Sequence, residues 1–250
     1  MIKIKNKQAI EKMRVAGEKL ALVMQEIAPH VVAGCSTLEI DKIFEEKMRT
    51  RGLKAECKGY AGYPAVTCIS LNDTVVHGIP SQEIILKTGD FVKIDVVGSH
   101  RGYCADMTRS FFVGSSTSLT QKLANVAQRA LDCAIKNACP GNRLFDISYA
   151  VQREVEKGGF AVVKEYAGHG IGRDLHEAPE VPNFGEKGTG LVLRSGMTLA
   201  IEPMLTESAC DVLVGADGWA AKTSNGCLAG HVEDTVLILD SGPEVLTRLQ

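Results

Sequence analysis

No excess of positive charge, no long apolar run, no closely spaced cysteine pair and no low-complexity linker occurs in this 250-residue chain, and each absence removes a class of function. A formal net charge of −2 with 45% apolar residues gives no electrostatic case for nucleic acid or an anionic membrane as partner. No apolar stretch approaches the roughly 18 residues that a membrane-spanning helix needs. The opening MIKIKNKQAIEK also has no apolar core of the kind signal peptides carry. A cytoplasmic protein is expected. Eight cysteines are present, at 35, 57, 68, 104, 133, 139, 210 and 227, but none are spaced as C-x-x-C, which argues against a thiolate zinc site. Without a secretion signal they are expected to be reduced, most of them as small buried apolar side chains.

What the chain does have is an internal repeat. Residues 86–95 read LKTGDFVKID and residues 193–202 read LRSGMTLAIE, which sets Asp95 on Glu202 at an offset of 107. The same offset carries Gly34, Ile40 and Gly52 onto Gly141, Ile147 and Gly159. HGI at 77–79 matches 169–171 at an offset of 92, and DMT at 106–108 matches EDT at 233–235 at an offset of 127. The second copy therefore holds about fifteen extra residues before Glu202 and about twenty after it. Duplicated halves usually pack about a pseudo-dyad, where equivalent residues converge. Here those residues are four carboxylates, Asp95, Asp106, Glu202 and Glu233, and two histidines, His77 and His169.

Apolar spacing predicts helices over 7–28, from Ser36 to Gly52, over 118–139 and over 144–157, so each half opens with two. Pro29 and Pro140 stop the first and third, and Ser36 with Glu39 reads as a capping box. Strand-like runs follow at 91–97, 103–113, 197–202 and 232–239. The fold class this implies is α+β, a curved antiparallel sheet around the dyad with helices on its outer face. The two insertions, near 173–187 and 205–228, are rich in Gly, Pro, Asn and Ser, as active-site loops often are.

Asp95 and Asp106 lie symmetrically about the GSHRG segment at 98–102. If that segment closes a hairpin, they are cross-strand neighbours on one face. Two such acids repel and require positive charge, from Lys93, from Arg109 or from a bound cation. For a single hairpin a solvated face is the ordinary reading; recurrence of the pattern as Glu202 and Glu233 reverses it. Four carboxylates with imidazole suit divalent manganese, iron, cobalt or zinc, and a pair of such ions forms a hydrolytic unit. His169, within GHGIG at 168–172, is presented by a loop or strand end. Pro203, after Glu202, would end or bend its strand.

These residues resemble the methionine aminopeptidase family, type I, with its duplicated pita-bread fold. The resemblance runs from the first helix to Leu246 and rests on GYAGYP at 59–64, VHGIP at 76–80, GHGIG at 168–172 and IEP at 201–203. It implies one catalytic domain over 1–250, with halves of roughly 1–114 and 115–250. It implies two divalent metal ions, Co, Mn, Fe(II) or Zn, held by Asp95, Asp106, His169, Glu202 and Glu233. Asp106 and Glu233 would serve both ions, and Glu202 would also relay the proton of the attacking hydroxide's parent water. His77 and His176 would contact the scissile peptide, and Cys57, Tyr60, Tyr63, Cys68 and Trp219 would shape the methionine pocket. The implied activity is removal of the initiator methionine from nascent polypeptides, preferring a small second residue. The implied enzyme is a monomer meeting the ribosome transiently, with no direct role for nucleic acid or membrane. With 33 residues from His169 to Glu202, the helical insertion of type II enzymes has no room, and no N-terminal extension is expected.

The chain departs from the family pattern at Leu175, where an aromatic residue usually precedes the second histidine, and at His231 and Asp234, which flank the last acid. His231 shares the strand face of Glu233, within reach of the metals or of a ligand. Cleavage of Xaa-Pro bonds, a binding module without catalysis and metal storage are alternative readings. The pocket motifs disfavour the first, the intact ligand set disfavours the second, and His77 and His176 have no part in the third.

Overall fold

The structure, a computed structural model, describes residues 2–249. Its long helices are α1 (Lys7–Ile27), α2 (Thr37–Thr50), α3 (Ser118–Asn137) and α4 (Leu144–Lys157). Asn6 and Thr117 cap α1 and α3 by accepting backbone N–H groups, and Ser36 with Glu39 completes the expected capping box on α2. The strands are β1 (Lys54–Ala55), β2 (Thr67–Leu71), β3 (Thr74–Val76), β4 (Phe91–His100), β5 (Tyr103–Phe112), β6 (Ala161–Val162), β7 (Ala167–Gly170) and β8 (Glu177–Pro182). They continue with β9 (Thr198–Ile201), β10 (Met204–Thr206), β11 (Val212–Val214), β12 (Ala221–Thr223), β13 (Ala229–His231), β14 (Glu233–Leu239) and β15 (Gly242–Val245). Among the described residues no helix is long and apolar enough to cross a membrane.

The main sheet runs β1-β4-β5-β14-β9-β7-β8 and every pairing in it is antiparallel. Its two halves meet where β5 pairs with β14, Thr108 opposite Glu233 and Met107 opposite Asp234. The repeat read from the sequence is reproduced in the backbone at the same offset of 107. Gly34 N–H donates to Leu86 O at 2.9 Å, and Gly141 N–H donates to Leu193 O at 3.0 Å. The isolated bridge Ser36 to Ile85 recurs as Arg143 to Val192.

Alternation along the strands sorts their side chains into two layers. Val92, Ile94 and Val96 of β4 pack with Leu20, Ile40 and Phe44 of the first helix pair. Leu199 and Ile201 of β9, with Val236 and Ile238 of β14, pack with Leu123, Leu131 and Ile147 of the second. The intervening residues, Asp95, Asp106, Glu202 and Glu233 among them, emerge on the opposite face. Helices thus cover one side of the sheet and leave the other for chemistry.

Pro203 both ends its strand and redirects it. β9 stops at Ile201, and the chain resumes at Met204 as β10, which pairs with β13 and β6 in a separate three-stranded sheet. Asp234, the departure beside the last acid, points to the helix side. It is fully buried and accepts from Arg109 Nη2 (2.7 Å), Thr247 Oγ1 (2.8 Å) and Arg248 Nε (2.7 Å). Arg109 also donates to Glu233 O (2.6 Å) and Thr247 O (2.8 Å), so the network ties β5, β14 and the C-terminal segment across the seam. Both guanidinium partners keep some contact with solvent, which reduces the cost of losing the acid. Asp234→Ala is expected to lower the unfolding free energy by about 2–3 kcal/mol. Urea denaturation checks it, and an unchanged midpoint at equal slope would refute the role.

Candidate metal and substrate site

Each acid comes from its own stretch of the sheet. Asp95 sits in β4, Asp106 in β5, Glu233 opens β14, and Glu202 follows the last residue of β9, so the order across the sheet is 95, 106, 233, 202. Repeat-matched residues, Asp95 with Glu202 and Asp106 with Glu233, therefore stand on either side of the β5–β14 seam. One detail corrects the sequence expectation. The hairpin closes at Arg101 and Gly102, whose φ angles of 50° and 76° suit a tight two-residue hairpin turn. Asp95 then faces Thr108, and Asp106 faces Val97, so the two aspartates are diagonal neighbours instead of direct ones. They remain on one face because the shift is an even number of residues.

The basic side chains considered from sequence do not neutralise this cluster. Arg109 alternates to the other face and joins Asp234. Lys93 is buried on the acid side but donates to Asn72 O at 3.0 Å, and burial pushes its ammonium down to about 7. Among the described residues, no lysine or arginine forms an ion pair with Asp95, Asp106, Glu202 or Glu233. The result is a dry, unneutralised group of acids. Burial, then the neighbouring Glu233 and Asp95, raises Asp106 well above the usual carboxylate range. Burial and then Asp95 do the same to Glu202, and burial, Glu202 and Asp95 to Glu233. Burial also raises Asp95.

His169 arrives on β7 between two glycines that permit a close approach. A Cβ on Gly168 would lie 2.4 Å from Ala200 O, and one on Gly170 would lie 2.3 Å from Ala178 O. His169 Nδ1 lies 2.9 Å from the Gly170 carbonyl, which can only accept, so Nδ1 holds the proton and Nε2 offers a lone pair. That nitrogen is 3.7 Å from Asp106 Oδ2 and 3.6 Å from Glu202 Oε1. Burial, then His176, depresses the ring to about 4, so it is neutral at pH 7. Donor atoms of Asp106, His169 and Glu233 all fall within 4.8 Å of one another. Asp95 Oδ1, Asp106 Oδ1 and Glu233 Oε1 are buried without any hydrogen-bond partner. The His169 lone pair and the unsatisfied oxygens of Asp106 and Glu233 lie close enough together to fit a divalent cation, whereas Asp95 and Glu202 stand next to that close group without joining it. Thr108, two residues after Asp106 on the same face, donates to Glu233 Oε2 at 3.0 Å. Its place in the strand alternation was a signal that the sequence reading passed over.

Beside the acids lies an apolar cluster. Cys57, Tyr63, Cys68, Ile171 and Leu175 are buried in it, and Ile79, Tyr103 and Trp219 pack against it. Tyr63 and Trp219 meet edge to face at 5.0 Å, and Tyr63 O–H donates to Thr67 O and Gly78 O, each at 3.1 Å. Cys57 is pushed well above its ordinary range by a hydrogen bond with Cys68 and then by burial. Tyr60 is separate: it is 44% exposed, and its hydroxyl lies 2.7 Å from His176 Nδ1, which places it at the rim. His176 stands edge-on to His169 with centroids 4.3 Å apart. His77, with the strained φ of 60°, stands edge-on to Tyr166 (5.4 Å) and Trp219 (6.4 Å). Burial, then His231, depresses His77 to about 4. Tyr166 was not among the residues picked from sequence. A cleft of about 670 Å³ bordered by Tyr166, His169, His176, Glu180 and Phe184 opens from this edge.

The loop carrying His176 is tied to the start of the chain. Glu177 accepts from Lys5 Nζ (2.7 Å) and Lys3 Nζ (3.3 Å), and its Oε1 takes the Arg173 N–H (3.1 Å). Nothing in the sequence pattern joined residues so far apart.

A duplicated sheet with clustered acids on its concave side and histidines at the rim defines the pita-bread class of metal-dependent hydrolases. The chain belongs to metallopeptidase family M24, whose model matches residues 11–240. It is 40% identical over 247 residues to the methionine aminopeptidase of Clostridium acetobutylicum, with 99% of each chain covered. The crystal structure of the methionine aminopeptidase of Thermotoga maritima superposes with a TM-score of 0.98 at 42% identity, covering 100% of both chains. The prolidase of Pyrococcus horikoshii shares the fold with a TM-score of 0.77 at 25% identity, but the match covers only 64% of that longer chain.

Raised carboxylates hold protons that a cation must displace, whereas His169, already neutral, has none to give up on Nε2. Metal binding is therefore expected to release protons, and apparent affinity is expected to increase with pH through the range in which those raised carboxylates titrate. Calorimetric titration with Mn²⁺ in two buffers of different ionisation enthalpy measures the release. An affinity that does not change with pH would contradict the raised carboxylates.

Proposed function

We propose that this chain is a methionine aminopeptidase that removes the initiator methionine from newly made polypeptides, preferring those with a small second residue. The observation that carries the reading is a buried acid and imidazole cluster next to an apolar cluster that contains sulfur and aromatic side chains. In this reading Asp95, Asp106, His169, Glu202 and Glu233 would hold two divalent ions of cobalt, manganese, iron(II) or zinc. Such ions lower the pKa of water and polarise the carbonyl under attack.

The residues of the chain supply the remainder. Glu202 accepts the proton of the attacking water and later passes it to the leaving amine, a task that suits a carboxylate whose proton affinity burial has raised. His77 and His176 are neutral donors to the oxyanion that forms at the peptide carbonyl. With the Tyr60 hydroxyl, 2.7 Å from His176 Nδ1, acting as donor, that ring would keep its proton on Nε2 for the oxyanion. The methionine side chain packs against Cys57, Tyr63, Cys68, Leu175 and Trp219, surfaces that suit a thioether. Leu175 widens the pocket floor relative to an aromatic residue without opening it to water. The rings of Tyr60, His77, Tyr166 and His176 crowd the next position, which supports the preference for a small second residue. The cleft beyond them gives the rest of the polypeptide a way out. The enzyme works in the cytoplasm as a monomer that meets nascent chains at the ribosome transiently.

Chelator-stripped protein reloaded with Mn²⁺, Co²⁺ or Fe²⁺ is expected to release methionine from Met-Ala-Ser and far less from Met-Leu-Ser. Glu202→Gln should lower kcat by ~10²-fold or more. Chromatographic detection of free methionine measures both. Absence of release with every metal, or faster cleavage of Xaa-Pro dipeptides than of Met-Ala-Ser, would overturn the assignment.

A further inference from the structure

One buried imidazole at the site has no part in the steps above. His231 ends β13, two residues before Glu233, and its backbone is held from both sides: it pairs with Met204 of β10, and Ser110 Oγ donates to its carbonyl at 3.0 Å. The residue is 1% exposed, and its Nε2 is buried without a hydrogen-bond partner. That nitrogen lies 3.5 Å from Glu202 Oε2, while the other carboxylate oxygen, Oε1, lies 3.6 Å from His169 Nε2. Glu202 is thus flanked by two imidazole nitrogens of different character. His169 has committed its proton to the Gly170 carbonyl, so its Nε2 presents a lone pair and cannot donate to an anion. A ring with its proton on Nε2 can. His231 lies outside the Asp106, His169 and Glu233 group of mutually close donor atoms, as Glu202 does, and the group its Nε2 approaches is the Glu202 carboxylate.

We propose that His231 is a positioning residue for Glu202: its Nε2–H donates to Oε2 and holds the carboxylate so that Oε1 stays on the His169 side, where the proton of water is taken up. The inference rests on the proposed function for its kinetic consequence only. Outer hydrogen-bond partners of metal-site carboxylates and imidazoles commonly matter by one to two orders of magnitude.

The test combines variants with a measurement on the unaltered protein. His231→Leu removes the donor, and His231→Gln retains an amide N–H. The leucine variant is expected to lose about 10- to 100-fold in kcat on Met-Ala-Ser with little change in KM. It should also shift the visible absorption bands of the Co²⁺-loaded protein, because Glu202 is released. The glutamine variant should recover most of the loss. Equal impairment of both variants, a wild-type kcat in the leucine variant, or a Co²⁺ spectrum unaltered by its loss of activity would overturn the proposal. Independently of any variant, long-range ¹H–¹⁵N correlation spectra of the Zn²⁺-loaded wild type should show the His231 proton on Nε2; a bare Nε2 overturns it as well. Should the wild type release no methionine at all, the proposed function fails while the spectra still decide the role of His231.

Discussion

Repulsion among four carboxylates, gathered on the dry face of one sheet with lysine and arginine turned elsewhere, is the constraint on which the rest of the structure depends. Asp95, Asp106, Glu202 and Glu233 would each be cheaper to bury with a basic partner, and Arg109 and Lys93 are near enough in sequence to serve. The fold assigns both to other tasks: Arg109 to Asp234 beneath the seam and Lys93 to a carbonyl. Asp95, Asp106 and Glu233 are each left with an oxygen that no protein group satisfies. Such an arrangement makes sense only when an external cation completes it, and that ties the fold to its chemistry.

Duplication explains how so unfavourable a cluster can be held. Each half buries its own helix pair against its own strands, through two separate apolar cores. The two halves are joined by the β5–β14 pairing, by the network around Asp234, by the pairing of β3 with β12 and by two smaller apolar clusters that draw residues from both. Stability is thus accumulated on the helix side while the cost is confined to the opposite face. Pro203 extends the division: by ending the ladder immediately after Glu202 it sends the chain into a second sheet, and the site lies where the two diverge.

Much of this was legible in the sequence. The four long helices and the acid-bearing strands followed from periodicity, because each is amphipathic over a long enough stretch for one face to be unambiguous, whereas of the caps only the Ser36 box was read from the sequence. The short strands β3, β7, β11 and β13, of three or four residues, carry too few positions for alternation to show. Asp95 and Asp106 were placed on the correct face but in the wrong register, since a turn centred on Arg101 and Gly102 cannot be told from one a residue earlier without knowing which residues adopt positive φ. The pocket residues were legible only by resemblance; as isolated tyrosines and cysteines they carry no pattern. Contacts such as Lys5 with Glu177, 172 residues apart, are products of the closed fold and leave no local trace.

The pocket wall has a further property. Under the proposed function two buried thiols, Cys57 and Cys68, would pack against the methionine side chain, and Cys57 is raised well above its ordinary range by its neighbour and by burial. Sulfur in that state is polarisable and soft but a poor nucleophile, because reactivity belongs to the thiolate. At Cys57 such a wall would match a thioether in polarisability while staying unreactive towards electrophiles and peroxides that attack an exposed cysteine, so recognition is separated from chemical vulnerability.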